Sequence, residues 1–257
     1  MALAPNPEEN LTLGKGIFYF NKKNQETGLY EGYRDLGNAP EVNSNITPDK
    51  LPHFSSREGK KTKDNEVIKE LALKFNFTLD EPNSDNLALT FMADEADVTQ
   101  TSATGETEDI IGVKQGRYYS VGKRNITVTG IALKDTPATT YDVTDDYTVD
   151  TTYGRIYIVP GGAITDTTDI TVTFNVAETE YKQIKTLQQD KVEGMLHFIS
   201  DNPAGANFDI EIWRASLIPT GNIGFITDDW MTLSFEAEVL KDASGHPDSP
   251  FMNIIYM

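Results

Sequence analysis

The chain has 257 residues, of which 22 are Lys or Arg and 40 are Asp or Glu, so its formal net charge is −18. This charge disfavours binding to a nucleic-acid backbone, because that affinity comes from basic side chains displacing counterions. The absence of cysteine excludes disulfides and thiolate metal sites, and no apolar run has the length of a transmembrane helix. We therefore expect a protein made in the cytoplasm without a membrane anchor, with a core large enough to fold unaided.

Two alternating patterns follow an N-terminal arm, residues 1–10, that we expect to be mobile until a partner orders it. In Glu41–Thr47, Val42 and Ile46 oppose polar neighbours. Glu66–Leu79 alternates over fourteen residues, with Val67, Leu71, Leu73, Phe75, Phe77 and Leu79 on one face and Glu70, Lys74, Asn76 and Thr78 on the other. A strand of this length spans about 45 Å, against roughly 3 to 10 residues for most strands. Its unpaired edge is a template for another chain, so we expect it to act in assembly.

The connection between these strands, Pro48–Asp64, is predicted to be a long basic loop. Between Arg57 and Lys63, the basic residues Arg57, Lys60, Lys61 and Lys63 stand against Glu58 alone. By contrast, no Lys or Arg occurs between Phe75 and Val113, where Asp80, Glu81, Asp85, Asp94, Glu95, Asp97, Glu106, Glu108 and Asp109 lie. Opposite charges on two copies favour a defined register. The alternative is that both segments are simply solvated.

Within the acidic segment, Asn83–Ala93 is typical of a short helix. Ser84 or Asp85 is the expected N-cap, and Leu87, Leu89, Phe91 and Met92 are the expected buried residues. Residues 96–112 are rich in Thr, Ser and Glu and are predicted to be an exposed loop.

Residues 117–182 consist of short β-rich runs between turn signals such as Pro137, Gly154 and Pro160. This spacing predicts a small, immunoglobulin-like β-sandwich. It would be inserted into a discontinuous body made of residues 1–116 and 183–257. The body resumes with predicted strands in Gln183–Ser200, Phe208–Ile218 and Trp230–Leu240. The predicted fold class is mainly β.

Four segments follow one another in the first part of the chain: LTLGKGIFYF, YRDLGNAPEVNSNITPDKLPHFSS, the long strand and PNSDNLALTFM. The inserted module contains RYYSVGKRNI, DYTVDTTYGRIYIVPGGAI and ITVTF, and FDIEIWRASLIPTGN and DDWMTLSFEAEVL come after it. In this order they resemble the major tail tube proteins of long non-contractile-tailed bacteriophages, some of which insert an extra β-module. The resemblance covers nearly the whole chain.

The resemblance implies a tail-tube-type β-sandwich or barrel with one short helix and a long β-hairpin. Such subunits form hexameric rings that stack around a tape measure protein, between tail terminator and distal tail proteins. The tube belongs to the virion, is assembled in the host cytoplasm and later conducts DNA without binding it specifically. Two long strands of each subunit join those of its neighbours around the lumen, the loop between them contacts the next ring, and the inserted module lies outside.

Matched to this chain, these features give three sets of candidate residues. The candidates for lining the lumen are Glu41, Asn43, Asn45, Glu70, Lys74, Asn76 and Thr78. The inter-ring loop would be Pro48–Asp64, with Arg57, Lys60, Lys61 and Lys63, and the complementary acidic surface would carry Asp94, Glu95, Asp97, Glu106, Glu108 and Asp109. A closed ring of strands would leave no free edge, and an acidic or neutral lumen would let DNA slide.

No pattern in the chain indicates an enzyme or a cofactor. The three histidines, His53, His197 and His246, lack metal-ligand spacing, and no G-x-S-x-G occurs. The Asp142, Asp145, Asp146 and Asp150 group is more typical of a solvated turn than of a calcium site.

Two other hypotheses about function stay open. One is a type VI secretion tube, which shares the ring architecture. The other is a carbohydrate-binding or adhesive sandwich with an aromatic platform drawn from Trp213, Trp230, Tyr118, Tyr119, Tyr153 and Tyr157.

Overall fold

The computed structural model describes residues 11–57 and 59–257. In chain order its elements are β1 (Gly16–Lys23), β2 (Tyr30–Asp35), β3 (Glu41–Ser55), β4 (Thr62–Leu79), α1 (Ser84–Thr90), β5 (Asp94–Gln100), β6 (Ala103–Val113), β7 (Tyr118–Ser120), β8 (Ile126–Leu133), β9 (Thr136–Tyr141), β10 (Tyr147–Asp150), β11 (Arg155–Ile158), β12 (Thr168–Val176), β13 (Thr179–Lys185), β14 (Val192–Ser200), β15 (Phe208–Thr220), β16 (Leu233–Val239) and β17 (Met252–Tyr256). The protein is therefore mainly β, as predicted. The N-terminal segment, residues 1–10, which was expected to be mobile until a partner orders it, lies outside the described residues.

The chain forms two units. Unit 1 consists of the chain up to Glu95 together with Ile184–Met257, and unit 2 is Ala96–Gln183. Residues 96–116, which the sequence analysis assigned to the body, therefore belong to unit 2. The physical reason is that β6 pairs with β12 along most of its length. β6 is therefore a strand of the unit 2 sheet, whereas the sequence placed it before that sheet.

Unit 1 contains one antiparallel sheet in the order β2-β1-β14-β15-β16-β4-β3, with β17 paired to the first half of β15. The sheet folds over on itself, because β1 packs against β4: the ring centroids of Phe18 and Phe77 are 4.9 Å apart. Phe77 also stacks on Phe235 of β16, at 5.2 Å. These rings, with Phe20 and Leu196, belong to the buried apolar core of unit 1, and their burial stabilises the folded sheet.

The β3–β4 hairpin differs most from the prediction. β3 was expected to end at Thr47 and to be followed by a loop, but it continues to Ser55, so only residues 56–61 form the turn between the strands. Pro48 and Pro52 lie within β3. They are compatible with a strand because β3 is at the edge of the sheet, where a missing backbone N–H need not break a ladder.

A bulge divides the long strand into two parts. Asp49 pairs with Glu70 and Lys50 pairs with Ile68, which leaves Lys69 without an opposite residue. N-terminal to Lys69, each side chain of β4 therefore points to the face opposite to the one that strict alternation predicts. Ile68 shares the face of Leu71, and Val67 does not, which corrects the single apolar face predicted over the whole strand.

The helix was predicted over Asn83–Ala93 and is shorter. Its N-cap is Asn83 rather than Ser84 or Asp85, and Asn83 Oδ1 accepts the backbone N–H of Asn86 at 2.9 Å. Of the four residues expected to be buried, Leu89 is buried, and Leu87, Phe91 and Met92 are half-buried. The polar Asn86 is fully buried, because its side chain bonds to Arg34 and to the carbonyl oxygens of Leu36 and Glu81.

Unit 2 is a β-sandwich of a four-stranded sheet, β6-β12-β8-β9, and a three-stranded sheet, β10-β11-β7. Its core contains residues of both sheets, including Ile131, Ile156 and Phe174. The predicted loop at 96–112 is wrong, because β5 and β6 occupy most of it; Thr is a strand-forming residue, and its abundance there was taken for a loop signal. The strand order also differs from that of an immunoglobulin domain, in which the first strand pairs with the second.

The remaining strands lie close to their predicted positions with shorter or shifted bounds. β14 begins at Val192 rather than near Gln183, and β16 begins at Leu233 rather than Trp230. β5 and β13, which lead into and out of unit 2, pair with each other. Among the described residues the one helix, α1, is neither long nor apolar enough to cross a membrane.

Candidate assembly surface

The predicted lumen residues are brought together on one side of the β3–β4 hairpin. Glu41 pairs with Thr78, Asn43 with Asn76 and Asn45 with Lys74. Opposite residues in an antiparallel pair point to the same face. Glu70 lies further along β4, opposite Asp49. The structure thus places six of the seven candidates in one contiguous patch and the seventh farther out on the hairpin.

This patch continues onto β16, which sequence reasoning missed. Ser234, Glu236 and Glu238 are the register partners of Thr78, Asn76 and Lys74. We call the whole surface the polar face; its members are Glu41, Asn43, Asn45, Lys74, Asn76, Thr78, Ser234, Glu236 and Glu238. The alternation in β16 was visible in the sequence, but its pairing with β4 was not.

Hydrogen bonds join members of the polar face, in one case across β4 and β16 and in another along β3. Lys74 Nζ lies 2.7 Å from Glu236 Oε1, and Asn43 Nδ2 donates to Glu41 Oε1 at 2.6 Å. The hydrogen bond to Glu236 raises the pKa of Lys74, so this lysine stays protonated and its charge is balanced. With three carboxylates and one ammonium, the polar face carries a net negative charge.

Beyond the polar face, the hairpin extends as an arm, residues 46–71, that packs against no other described element. Every residue of the arm whose burial is described is exposed, except the half-buried Ser55. β3 is the last strand of its sheet, and β16 pairs only with residues 74–79 of β4. Among the described residues, both edges of the arm therefore lack a strand partner.

The arm nevertheless carries large apolar side chains. Their exposed fractions are 66% for Ile46, 58% for Leu51, 47% for Phe54, 60% for Val67, 51% for Ile68 and 61% for Leu71. Because of the bulge at Lys69, they occur on both faces. Exposed apolar groups in such a cluster, next to free strand edges, are typical of an interaction surface.

Ion pairs link charged side chains of the arm, two of them across its strands and one within β4. Lys50 Nζ lies 2.9 Å from Glu66 Oε1, Lys63 also bonds to Glu66, and Lys69 Nζ lies 3.2 Å from Asp49 Oδ2. The hydrogen bonds from Lys50 and Lys63 lower the pKa of Glu66 to about 2. The arm is thus ordered by backbone pairing and surface charges rather than by burial.

The four basic candidates separate into two groups. Lys63 lies in β4 and is paired with Glu66. Arg57, Lys60 and Lys61 lie in the turn and are exposed, and no described residue forms an ion pair with them. We call these three residues the basic tip.

The six acidic candidates are divided between the two units. Asp94 and Glu95 belong to unit 1, and Asp97, Glu106, Glu108 and Asp109 belong to unit 2. Lys182 Nζ lies 3.6 Å from Asp97 Oδ1, and Lys134 Nζ lies 3.3 Å from Asp109 Oδ2. The hydrogen bond from Thr171, followed by that from Lys134, lowers the pKa of Asp109.

The other residues considered for chemistry are scattered. Each histidine contacts a different aspartate: His53 with Asp64, His197 with Asp209 and His246 with Asp242. In the part of the chain that the structure describes, no group of three acidic or histidine side chains could hold a metal ion. Trp213 stacks on His246 with ring centroids 3.7 Å apart, in unit 1. The aromatic residues considered as one platform are therefore divided between the units.

Unit 2 does carry a smaller aromatic cluster. The guanidinium of Arg155 lies 5.3 Å from the ring centroid of Tyr118 and 5.0 Å from that of Tyr153. Tyr118 also packs against Tyr157, at 4.8 Å, and Arg124 lies 5.4 Å from Tyr181. Tyr118 and Tyr153 are more than half exposed.

Comparison with known proteins adds one relationship. No curated protein matches the chain. A family model described as "Protein of unknown function UCP028589" matches residues 11–255, which is nearly the whole sequence. The chain therefore belongs to the family "Protein of unknown function UCP028589".

Proposed function

We propose that this protein is the subunit of a phage tail tube, of the type found in long non-contractile tails. Copies of it would form hexameric rings that stack around a tape measure protein, between tail terminator and distal tail proteins. The tube would then be the conduit for DNA during genome ejection. In this proposal the protein has no catalytic role and needs no cofactor, and its main partner is itself.

The hairpin arm is the observation that carries the proposal. In a monomer, two long strands with free edges and exposed apolar side chains on both faces would stay unpaired in water. Such edges lead to aggregation unless they are covered. Pairing with the arms of neighbouring copies would satisfy the backbone groups of these edges and bury the apolar residues. Closure of that pairing into a ring would leave no edge free.

The polar face supports the assignment of the lumen. It lies on the strands that would join neighbours, and it is hydrophilic, continuous over three strands and negatively charged. The ion pair between Lys74 and Glu236 leaves no unbalanced cation among its members. Such a surface repels phosphates, which is what passage of DNA without specific binding requires.

Negative-stain electron microscopy and size-exclusion chromatography of the purified protein test the proposal. Rings or tubes with an open centre are expected, at high protein concentration or after a tape measure protein is added. A protein that stays monomeric under both conditions contradicts it. Assembly that required a contractile sheath protein instead would favour the type VI alternative.

Substitutions within the arm make the test specific. Leu51 and Val67 are opposite each other and both exposed. Leu51→Asp combined with Val67→Asp should abolish assembly and leave the circular dichroism spectrum unchanged. Ile111→Asp in β6 is the matched control, because Ile111 is 59% exposed but lies in unit 2. Equal loss of assembly in both variants would argue against a role for the arm.

A second function is favoured for unit 2 alone. Exposed tyrosines beside arginines can stack on sugar rings and hydrogen-bond their hydroxyl groups, so Tyr118, Tyr153 and Arg155 could form a carbohydrate-binding surface. Binding of the protein to a glycan array, compared with that of Tyr118→Ala, tests this. The two functions are compatible, since they use different units.

A further inference from the structure

We propose that the basic tip of one copy docks on an acidic and apolar loop at the opposite end of the same strands in the next copy. This loop, residues 221–232, connects β15 to β16 and is called the acceptor loop here. The inference rests on the proposed function, because it names the surfaces through which successive rings would stack. It replaces the acidic surface expected from the sequence, most of which lies in unit 2.

Strand registers place the tip and the acceptor loop at opposite ends of unit 1's sheet. β4 leaves the turn at Thr62 and ends at Leu79. Leu79 pairs with Leu233, the first residue of β16, and Thr220 at the end of β15 pairs with Ser234. The acceptor loop therefore begins and ends where β4 ends, a full strand length from the basic tip.

The acceptor loop has the composition that complements the tip. Asp228 and Asp229 are both exposed, and the chain contains no Lys or Arg between Thr220 and Lys241. Ile226 is 100% exposed and Trp230 is 91% exposed. On the other side, the basic tip is flanked by the exposed Leu51 and Phe54.

The acceptor loop is anchored at Ile223, which packs against the core of unit 1, and at Phe225. Phe225 stacks on Phe91, which follows α1, with ring centroids 6.2 Å apart and an interplanar angle of 12°. Glu81 and Asp85, beside the end of β4, add two exposed carboxylates at this end of the sheet. Exposed aromatic and apolar side chains surrounded by charge are typical of the centre of a protein interface.

Opposite charges also determine the polarity of the contact. Two tips would repel each other, as would two acceptor loops, so copies are expected to stack head to tail. A head-to-tail contact between identical subunits repeats without end unless it closes, which gives a filament of defined polarity. A second copy is thus the occupant that fits the acceptor loop.

Disulfide crosslinking tests the contact directly, because the chain contains no cysteine. Two single variants, Lys60→Cys and Asp229→Cys, one of them carrying a tag that changes its size, are mixed, assembled and oxidised. The mixed dimer is expected to be the dominant crosslinked product. Glu31→Cys replaces Asp229→Cys in the control mixture, since Glu31 is exposed on β2. Equal yields from the two mixtures would overturn the docking proposal.

Charge exchange gives an independent test. Lys60→Asp with Lys61→Asp should raise the critical concentration for assembly on the order of tenfold, and so should Asp228→Lys with Asp229→Lys. All four substitutions together should restore it to within a few-fold of the wild-type value. Wild-type tubes without crosslinking and without rescue would overturn the docking and leave the tube proposal intact. A wild-type protein that never assembles would overturn both.

Discussion

The two halves of the β3–β4 hairpin are built from the same pairing but have opposite surroundings. At its base, Phe75 and Phe77 are buried in the core of unit 1. In the arm, Leu51 and Val67 are also apolar, but they are exposed to solvent. Backbone pairing alone therefore orders a strand but does not give its apolar side chains a partner. The base buries its apolar side chains in the core, whereas the arm leaves them exposed.

Phe77→Ala is expected to have the largest effect and to separate the two halves most clearly. Phe77 is 2% exposed and contacts the rings of Phe18 and Phe235. Its removal should lower the free energy of unfolding by about 3 to 5 kcal/mol, whereas Leu51→Ala should change it by less than about 0.5 kcal/mol. Urea denaturation followed by tryptophan fluorescence measures both values. Similar losses would mean that the arm packs within its own subunit.

A smaller effect is expected from the buried amide of Asn86, which lies in α1. Asn86→Ala leaves the carbonyl oxygen of Leu36 without its side-chain donor and leaves Arg34 Nη1 with only the carbonyl oxygen of Asp35 as acceptor. The expected loss of unfolding free energy is about 1 to 3 kcal/mol. Asn45→Ala, on the exposed part of the hairpin, is the control and should be near neutral. The midpoint of thermal unfolding reports the difference, and an equally large loss in the control would contradict it.

The polar face adjoins the arm. In the proposed tubes, it should determine how strongly DNA is retained. Glu236→Lys with Glu238→Lys reverses two of its charges and should make tubes retain short DNA several-fold more strongly at low salt. The retention should disappear as the salt concentration rises. Filter binding measures it, with Glu236→Gln and Glu238→Gln as the control that removes charge without adding any. Equal retention by wild-type tubes would exclude this face from the lumen.

The smallest effect is expected from pH and concerns the arm alone. Lys50 and Lys63 lower the pKa of Glu66 to about 2. A carboxylate with a lowered pKa stabilises the folded arm at pH values above its unfolded pKa, near 4.3. That contribution is lost as the pH falls from about 4.3 towards 2.

Titration of the Glu66 side-chain carbon signal by NMR checks the shift, and amide exchange of arm residues checks its consequence. Glu66→Gln should remove the acid-dependent change in exchange, while the base strands stay protected. A midpoint near 4.3 in the wild-type protein would show that the two ion pairs do not persist in solution.

Strand existence was largely predictable, since a side-chain period of two is a local property. The alternation in residues 66–79 correctly predicted β4, and that in residues 233–239 predicted β16. The errors occurred where local composition was ambiguous. Two prolines concealed the second half of β3, and a run of Thr, Ser and Glu concealed β5 and β6.

The candidate site residues show the same contrast between what local alternation predicts and what it misses. The seven candidate lumen residues were selected from the polar faces of alternating strands matched to the tail tube resemblance, and six of them pair with one another across β3 and β4. Ser234, Glu236 and Glu238 were missed, because nothing in a sequence states which strand lies beside β4. The acidic candidates were grouped because they are close in sequence, and the structure divides them between two units.

By itself, the sequence determined the mainly β class, the strand faces outside the bulged part of β4, the acidic character and the basic composition of the turn, since all of these follow from residue types and their spacing. Only the tertiary structure decided that β4 pairs with β16, that β6 belongs to unit 2, and that the acceptor loop lies a strand length from the basic tip. The physical reason is that alternation specifies where a side chain points, whereas partners and register depend on long-range pairing and on the packing of the core.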